Sequence, residues 1–167
     1  MAVTVRLPID LRNPRVSSLA GNAFFTVTGL TAVDLGFWNF VKDVDGKVYG
    51  VVVVPKNLNA TPAAKIVLSI AANATTGVTR LQVSTKAVAD AESLNPSALT
   101  AETAQDITVP GTARLRKDVT FPASGNLTET LAADDLLLVE IFHVGSHAND
   151  TLAQPTELYA AFLQCDL

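Results

Sequence analysis

The sequence has little of several residue types, and each shortage excludes a class of protein. A single cysteine, Cys165, rules out an internal disulfide and a cysteine-rich zinc site. Only 17% of the 167 residues are charged and the net charge is -4, which excludes a disordered chain and argues against nucleic acid as a partner. No apolar run approaches the roughly 20 residues that span a bilayer, so no membrane partner is expected. The nine glycines form no phosphate-binding loop, and no cofactor is predicted.

Hydrophobic residues make up 49% of the sequence, enough for one domain of this length to bury a full core. A monomer with so few charges exposes more apolar surface than is usual, so the composition favours a homo-oligomer or a larger assembly. The first ten residues lack a basic region followed by an apolar stretch. We therefore expect synthesis in the cytoplasm without a secretory signal.

The dominant hydrophobic period is two, which is typical of strands. In Val78–Ala87, alternate residues from Thr79 onward form one face and polar residues form the other. Lys47–Val54 and Leu136–Val144 are apolar on both faces, as expected for strands that are covered by two layers or by a neighbouring subunit. Further strands are predicted at Val3–Leu7, Ala23–Leu30, Phe37–Val41, Lys65–Ala71, Leu115–Phe121 and Glu157–Leu167. About eight strands with regular turn signals predict an all-β, antiparallel β-sandwich of jelly-roll type.

The connections and the start of the chain complete the predicted organisation. Asp43–Gly46 separates two apolar runs and ends in Asp-Gly, which predicts a hairpin turn. Asp90–Asp106 is rich in Ala, Ser and Thr and predicts an excursion loop with a short helix near Ser97–Ala104. Pro8–Asn22 has little periodicity, so residues 1–22 are predicted to be an extended N-terminal arm. Residues 23–167 are then the single jelly-roll domain.

Charge is distributed unevenly along the chain. Arg6, Arg12 and Arg15 make the predicted arm basic, whereas residues 118–167 hold eight acidic residues and no lysine or arginine. We expect the arm to pair with acidic groups of a neighbouring subunit. The alternative is that its arginines lie on the subunit's own surface, where exposed ion pairs contribute little. Phe37 and Trp38 are aromatic candidates for a partner interface, with core packing as the alternative.

Ser146, His147 and Asp150, with His143 just upstream, form the only acid–base constellation in the sequence. The members of a Ser-His-Asp triad normally come from separate segments, and no G-x-S-x-G motif surrounds Ser146. A turn between the last two strands, capped by Ser146 and Asp150, explains these residues better. The sequence therefore predicts a protein that is not an enzyme.

Acidic turns and glycosylation sequons are weaker candidates. Asp43–Gly46 resembles the start of a calcium loop, but position twelve counted from Asp43 is Val54 where a glutamate is needed. A cation at a sandwich edge is the alternative to a solvated turn for the acidic residues Glu129, Asp134 and Asp135. The N-x-S/T sequons lie at Asn59, Asn73, Asn126 and Asn149, where Asn and Thr are also ordinary turn residues.

The sequence from Lys47 onward resembles a known family in three places. The first is a strand that ends in Val54-Pro55 and is followed by Lys65–Ala71; the second is Val78–Ala87 running into VADAESLNPSA at Val88–Ala98. The third is DDLLLVEIFHVGSHANDTL at Asp134–Leu152 together with ELYAAFL at Glu157–Leu163. In these segments the chain resembles the small jelly-roll virion proteins of tailed bacteriophages, the decoration or cement class.

This resemblance implies a β-sandwich on the outer surface of the virion that binds the major capsid protein, forms a homotrimer and stabilises the shell without an active site. Many modest contacts would then act together through avidity. Two alternatives stay open. One is a carbohydrate-binding head-fibre or tail-associated adhesin, with Trp38 or Tyr159 exposed to a glycan; the other is a minor neck or tail component.

Overall fold

The computed structural model describes residues 3–12, 24–29, 34–58, 64–94 and 98–167. Within these ranges all regular structure is β, with no helix. The strands are β1 (Thr4–Pro8), β2 (Asp10–Arg12), β3 (Phe24–Gly29), β4 (Asp34–Phe40), β5 (Gly46–Val53), β6 (Lys65–Ala72), β7 (Val78–Val88), β8 (Thr100–Ala101), β9 (Gln105–Thr108), β10 (Lys117–Phe121), β11 (Leu136–His143) and β12 (Thr156–Asp166). The count exceeds the predicted number of about eight because the short strands β2, β8 and β9 form in segments that the sequence indicates to be arm or loop.

The strands form two antiparallel sheets that share one core. The front sheet has the order β10-β6-β12-β4-β3, with β1 also paired to β12. The back sheet has the order β2-β5-β11-β7-β8, with β9 also paired to β7. The protein is thus an all-β, antiparallel sandwich of jelly-roll type, as the sequence predicts.

The core lies between the sheets and is built from the alternation that the sequence shows. Leu81 and Val83 of β7 and Ile141 of β11 point inward from the back sheet and are fully buried. Leu68 of β6 and Leu163 of β12 meet them from the front sheet. Each such side chain contributes about 1.5–3 kcal/mol through the loss of apolar contact with water.

Strand β12 departs from strict alternation. Its register with β6 shifts between Leu158 and Ala160, so Leu158 and Ala161 both belong to the core while Tyr159 stays half-exposed. Strict alternation along Glu157–Leu167 would set Tyr159 on the same face as Ala161 and Cys165, but a bulge inserts one residue and changes the side to which the chain points. Cys165 itself is buried.

The first strands belong to the sandwich rather than to a free arm. β1, predicted at Val3–Leu7, pairs with β12 and sets Val5 opposite Cys165 and Leu7 opposite Leu163. β2 pairs with β5. Residues 4–12 thus differ from the predicted arm over residues 1–22, since their alternate apolar side chains pack on the core and their backbone completes both sheets. Residues 13–22 lie outside the described residues.

Two predicted connections also differ from the structure. Asp43–Gly46 forms a turn, with Asp43 at φ 59°, but it joins β4 of the front sheet to β5 of the back sheet, so it is no hairpin. In place of the predicted helix near Ser97–Ala104, residues 100 and 101 form β8, which pairs with Ser84 and Thr85. Pairing with the edge of β7 gives the backbone groups of residues 100 and 101 hydrogen-bond partners. The terminal turns of a short helix would leave several such groups unpaired.

Candidate functional site

The arginines predicted to bind a partner are not brought together among the described residues. Arg6 lies on β1 and binds Asp118 of its own chain, with Nη1 3.1 Å from Oδ2. Arg12 is the last residue of β2, and Arg15 lies outside the described residues. For Arg6 the contact is therefore on the subunit's own surface, the alternative that the sequence left open.

Phe37 and Trp38 are not exposed interface anchors. They are only 3% and 8% exposed, and Trp38 belongs to the core between the sheets. Phe37 alternates with Trp38 on β4 and packs on the opposite side, against Tyr159. Packing within the chain thus accounts for both aromatic rings.

The segment His143–Asp150 does not assemble a Ser-His-Asp triad. Asp150 Oδ2 lies 2.8 Å from Nε2 of His143 and also accepts a hydrogen bond from the backbone N–H of Arg80. Ser146 and His147 are exposed, whereas Asp150 is buried. Asp150 therefore orients His143 rather than His147, and its role is to hold the turn after β11 against β7.

The carboxylates of the acidic turns accept hydrogen bonds from groups of the same chain. Burial raises the pKa of Glu129, but hydrogen bonds from Thr100, Lys86 and a backbone N–H outweigh it and leave that pKa below its usual value. Asp135 accepts a hydrogen bond from the N–H of Ala132. The part of the chain that the structure describes contains no group of three His, Cys, Asp or Glu side chains placed to hold a metal ion. Of the sequon asparagines, Asn73, Asn126 and Asn149 are exposed, and Asn59 lies outside the described residues.

The outer face of the front sheet carries small side chains between longer ones. Ser69 of β6 lies opposite Asp118 of β10 on one side and Ala160 of β12 on the other. Ala71, two residues further along β6, lies opposite Glu157 of β12. These small side chains lie low on the sheet between longer ones, and Ser69 and Ala71 are buried beneath them. We call this surface the trough; it consists of Ser69, Ala71 and Ala160 with the longer Arg114, Asp118, Glu157 and Tyr159 around them.

One side of the trough is a carboxylate held by several donors. Ser69 Oγ donates to Asp118 Oδ1 at 2.7 Å, and Arg6 Nη1 and Arg116 Nε lie 3.1 and 3.3 Å from its carboxylate oxygens. The hydrogen bond from Ser69, with the two guanidinium groups, holds the pKa of Asp118 below its usual value against the opposing effect of burial. Arg6 Nε also donates to Gln164. The carboxylate is thus ionised and fixed in position at neutral pH.

The other side of the trough is an aromatic ring with polar neighbours. The ring of Tyr159 packs 5.1 Å from that of Phe37 at a tilt of 42°, and its hydroxyl donates to Glu157 at 2.8 Å. Burial, together with this hydrogen bond, raises the pKa of Tyr159 to about 12. Arg114 Nε lies 3.6 Å from the other oxygen of Glu157. Asn39, opposite Glu157, has a buried Oδ1 that lacks a hydrogen-bond partner among the described residues.

These groups place an apolar ring face beside charged hydrogen-bonding groups. A half-exposed tyrosine ring offers an apolar face with a polar edge, and paired carboxylate and guanidinium groups offer planar, directional hydrogen bonds. Sequence reasoning named Tyr159 but missed Arg114, Asp118 and Glu157. Asp118 and Glu157 come from separate segments that only the strand register of β10, β6 and β12 brings together, and Arg114, in the turn before β10, is placed by the hydrogen bond from its N–H to the carbonyl oxygen of Ala72. No local spacing reveals these residues.

The outer face of the back sheet carries a second feature, an apolar stripe. It is formed by Val51 and Val53 of β5, which lie opposite Leu138 and Leu136 of β11. Val53 is 58% exposed and the other three side chains are half-buried. These strands are the ones that the sequence shows to be apolar on both faces.

Charged residues beside the apolar stripe pair with one another. Lys47 Nζ lies 3.0 Å from Glu140 and 5.1 Å from the ring centre of Phe142. Lys86 Nζ lies 3.0 Å from Glu129. The borders of the apolar stripe therefore carry charges that are already neutralised.

Within the described ranges, no helix is long and apolar enough to cross a membrane. No protein-family model and no curated protein matches the chain. Among solved structures, the chain is similar to the family 11 carbohydrate-binding module from Clostridium thermocellum in complex with a β-1,3-1,4-mixed-linked tetrasaccharide, at 11% identity and a TM-score of 0.46 over 96% of this chain and 94% of that one.

The family 11 module of the cellulosomal cellulase Lic26A-Cel5E of Clostridium thermocellum is similar at 11% identity and a TM-score of 0.45, over 98% of this chain and 94% of that one. An arabinose-bound α-L-arabinofuranosidase is similar at 11% identity and a TM-score of 0.43; the match covers 93% of this chain but only 26% of that one. The likeness is one of general fold.

Proposed function

We propose that the protein is a non-catalytic carbohydrate-binding protein and that the trough on the front sheet holds the glycan. The observation that supports this proposal is the placement of a half-exposed tyrosine ring, Tyr159, beside the Arg114–Glu157 pair and the fixed Asp118 carboxylate. In this assignment Tyr159 packs on the apolar face of one sugar ring. Asp118 and Arg114 exchange hydrogen bonds with its hydroxyls, and the buried Glu157 holds Arg114 and Tyr159 in place.

Binding in this way costs little reorganisation. Asp118 is already fixed by Ser69 and Arg6, and Tyr159 is already fixed by Phe37 and Glu157, so few rotamers are lost when a ligand binds. Each carboxylate also has a guanidinium partner already, since Arg6 and Arg116 contact Asp118 and Arg114 contacts Glu157. A neutral glycan can therefore bind without displacing an ion pair.

The two tyrosines of the chain allow a matched test. Tyr159 lies in the trough, and Tyr49 lies on the back sheet, where it is 37% exposed. We would screen the protein on a glycan array and measure the binding of the best neutral oligosaccharide by calorimetry. Tyr159→Ala should weaken binding about tenfold or more, since it removes about 1.4 kcal/mol or more of contact, whereas Tyr49→Ala should not change it.

Two further measurements keep this test decisive. Tyr159→Phe retains the ring and removes only the hydrogen bond to Glu157, so it should bind better than Tyr159→Ala if the ring contacts the sugar. Trp38 is buried, so its fluorescence should change little on binding. The proposal is wrong if no array glycan binds, or if Tyr49→Ala weakens binding as much as Tyr159→Ala.

A second candidate, the virion decoration protein implied by the resemblance, is favoured by the apolar stripe. Exposed, contiguous apolar surface on a sheet is a common site of protein–protein contact. In this assignment the apolar stripe contacts the major capsid protein or neighbouring copies in a homotrimer on the virion surface, and binding energy accumulates over many copies.

The test of the second candidate uses two exposed valines. Val53 lies in the apolar stripe and is 58% exposed; Val3, beside β1, is 60% exposed. Light scattering should give a trimer mass for the wild type and for Val3→Lys, and a lower mass for Val53→Lys. The wild type and Val3→Lys should bind to capsid particles, whereas Val53→Lys should not. A monomeric wild type that does not bind capsids would exclude this candidate.

A further inference from the structure

A cavity of about 600 Å³ lies at one end of the back sheet, away from the trough. Its apolar wall is formed by Val88 at the end of β7, Leu136 at the start of β11, and Leu94, which is 66% exposed. Three carboxylates, those of Asp90, Glu92 and Asp134, line the same cavity. We call it the acidic pocket.

The acidic pocket has an excess of negative charge. Within the described residues, its three carboxylates have one cationic partner, Lys56, whose Nζ is 3.7 Å from Asp134. Both side chains of that pair are well exposed, at 84% and 59%, so their attraction is weak. The pocket therefore favours a ligand with positive charge.

The carboxylates are placed for hydrogen bonding rather than for a metal ion. Glu92 accepts a hydrogen bond from the N–H of Ala89, and Asp90 accepts one from the N–H of Ala91, which fixes each group against its own turn. The described residues hold no three such groups that converge on one ion. A bare cation is bound by oxygen ligands, so the apolar wall beside the carboxylates would contribute nothing to its binding.

We propose that the acidic pocket receives the side chain of a lysine or arginine from a protein partner. The methylene stem of such a residue packs on Leu94, Leu136 and Val88, and its charged head reaches the carboxylates. The pocket is continuous with the apolar stripe, because Leu136 lies opposite both Val53 and Val88. A partner that covers the apolar stripe thus places a basic residue at its end. This site is separate from the glycan-binding trough, so either assignment stands or fails without the other.

The experiment is a titration of the full chain with small probes, monitored through the NMR signals of its methyl groups. The probes are Nα-acetyl-lysine methylamide and Nα-acetyl-norleucine methylamide, which have the same alkyl stem but differ in the charged head. The lysine probe should shift the methyl signals of Leu94, Leu136 and Val88 in a saturable way, and it should bind about fivefold or more tightly than the norleucine probe. High salt should weaken the lysine probe only.

Matched variants identify the groups that bind the charge. The double variant Asp90→Asn with Glu92→Gln keeps the shape and the turn hydrogen bonds and leaves one carboxylate, that of Asp134, so it should remove most of the difference in binding between the lysine and norleucine probes. Asp43→Asn, at an exposed carboxylate on another turn, should bind as the wild type does. Calcium chloride serves as a separate probe. The proposal is overturned if the norleucine probe binds equally well, if no methyl signal shifts, or if calcium binds the pocket and displaces the lysine probe.

Discussion

His143 and Asp150 form a buried hydrogen-bonded pair, with Nε2 of the imidazole 2.8 Å from Oδ2 of the carboxylate and both side chains at most 2% exposed. The other ring nitrogen, Nδ1, lies 3.1 Å from the carbonyl oxygen of Val44, which can only accept. Nδ1 therefore carries a hydrogen, and one proton lies between Nε2 and Oδ2. The pair ties the turn after β11 to the turn that joins the two sheets.

Removing either partner should destabilise the fold. Asp150→Ala leaves the His143 ring and the N–H of Arg80 buried without an acceptor, so we expect a loss of about 3–5 kcal/mol in the free energy of unfolding. Urea denaturation measures this loss. His147→Ala, at an exposed position in the same segment, should change it by less than about 0.5 kcal/mol. Equal effects of the two variants would contradict the structural role of the buried pair.

Gly145 is required by the close approach of the same two turns. A Cβ atom on this residue would lie 2.5 Å from the carbonyl oxygen of Val44 and 2.7 Å from Cε1 of His143. Gly145→Ala should therefore lower the free energy of unfolding by about 1–3 kcal/mol. Gly111→Ala is the matched control, because a Cβ there meets nothing within 4 Å. Thermal unfolding of both variants checks the difference, and an unchanged midpoint for Gly145→Ala would refute it.

Most of the sandwich could be predicted from alternation, because a strand with one buried face has apolar residues at every second position. The inner face of β7 is buried from Thr79 to Ala87, as predicted. Alternation cannot report which strands become neighbours. The Asp-Gly turn at Asp43–Gly46 therefore indicated a hairpin, although β4 and β5 belong to different sheets, and the bulge after Leu158 is likewise invisible in the sequence.

The candidate site was harder to predict than the fold. Phe37 and Trp38 were predicted to contact a partner because they are adjacent aromatic residues, yet both are buried. Aromatic rings stabilise protein cores as well as interfaces, so their presence alone does not distinguish the two. Asp118 and Glu157 look like ordinary surface charges in the sequence. Only pairing of β10 and β12 with β6 brings them beside Ser69 and Ala71.

The Asp118 carboxylate should make stability depend on pH in the acid range. Its pKa in the folded protein is below the usual value of about 3.9, so its contribution is fully present above that value and is lost as the pH falls through the lower folded pKa. Asp118→Asn should lower the free energy of unfolding by about 1 kcal/mol at pH 7, and this loss should shrink as the pH falls through the folded pKa of Asp118. Asp43→Asn, at a 63% exposed side chain, should behave like the wild type throughout this range. A loss for Asp118→Asn that is the same at every pH at which the protein folds would contradict the role of its charge.

The N-terminal strand should protect the single thiol of the protein. Val5 of β1 lies opposite Cys165, which is 1% exposed and whose pKa is raised by burial. Val5→Asp sets a charge against the core at the β1–β12 pair, so β1 should detach more often and expose the thiol. We expect Cys165 in this variant to react with a thiol reagent about tenfold faster or more, because detachment becomes more favourable by at least about 1.4 kcal/mol.

Val3→Lys changes an exposed side chain just before the same strand and should leave the rate as in the wild type. Because the chain has one cysteine, the measured rate reports this position alone. A free arm over residues 1–22 would instead leave the thiol equally reactive in Val5→Asp, Val3→Lys and the wild type. The comparison thus decides whether residues 4–8 complete the front sheet in solution.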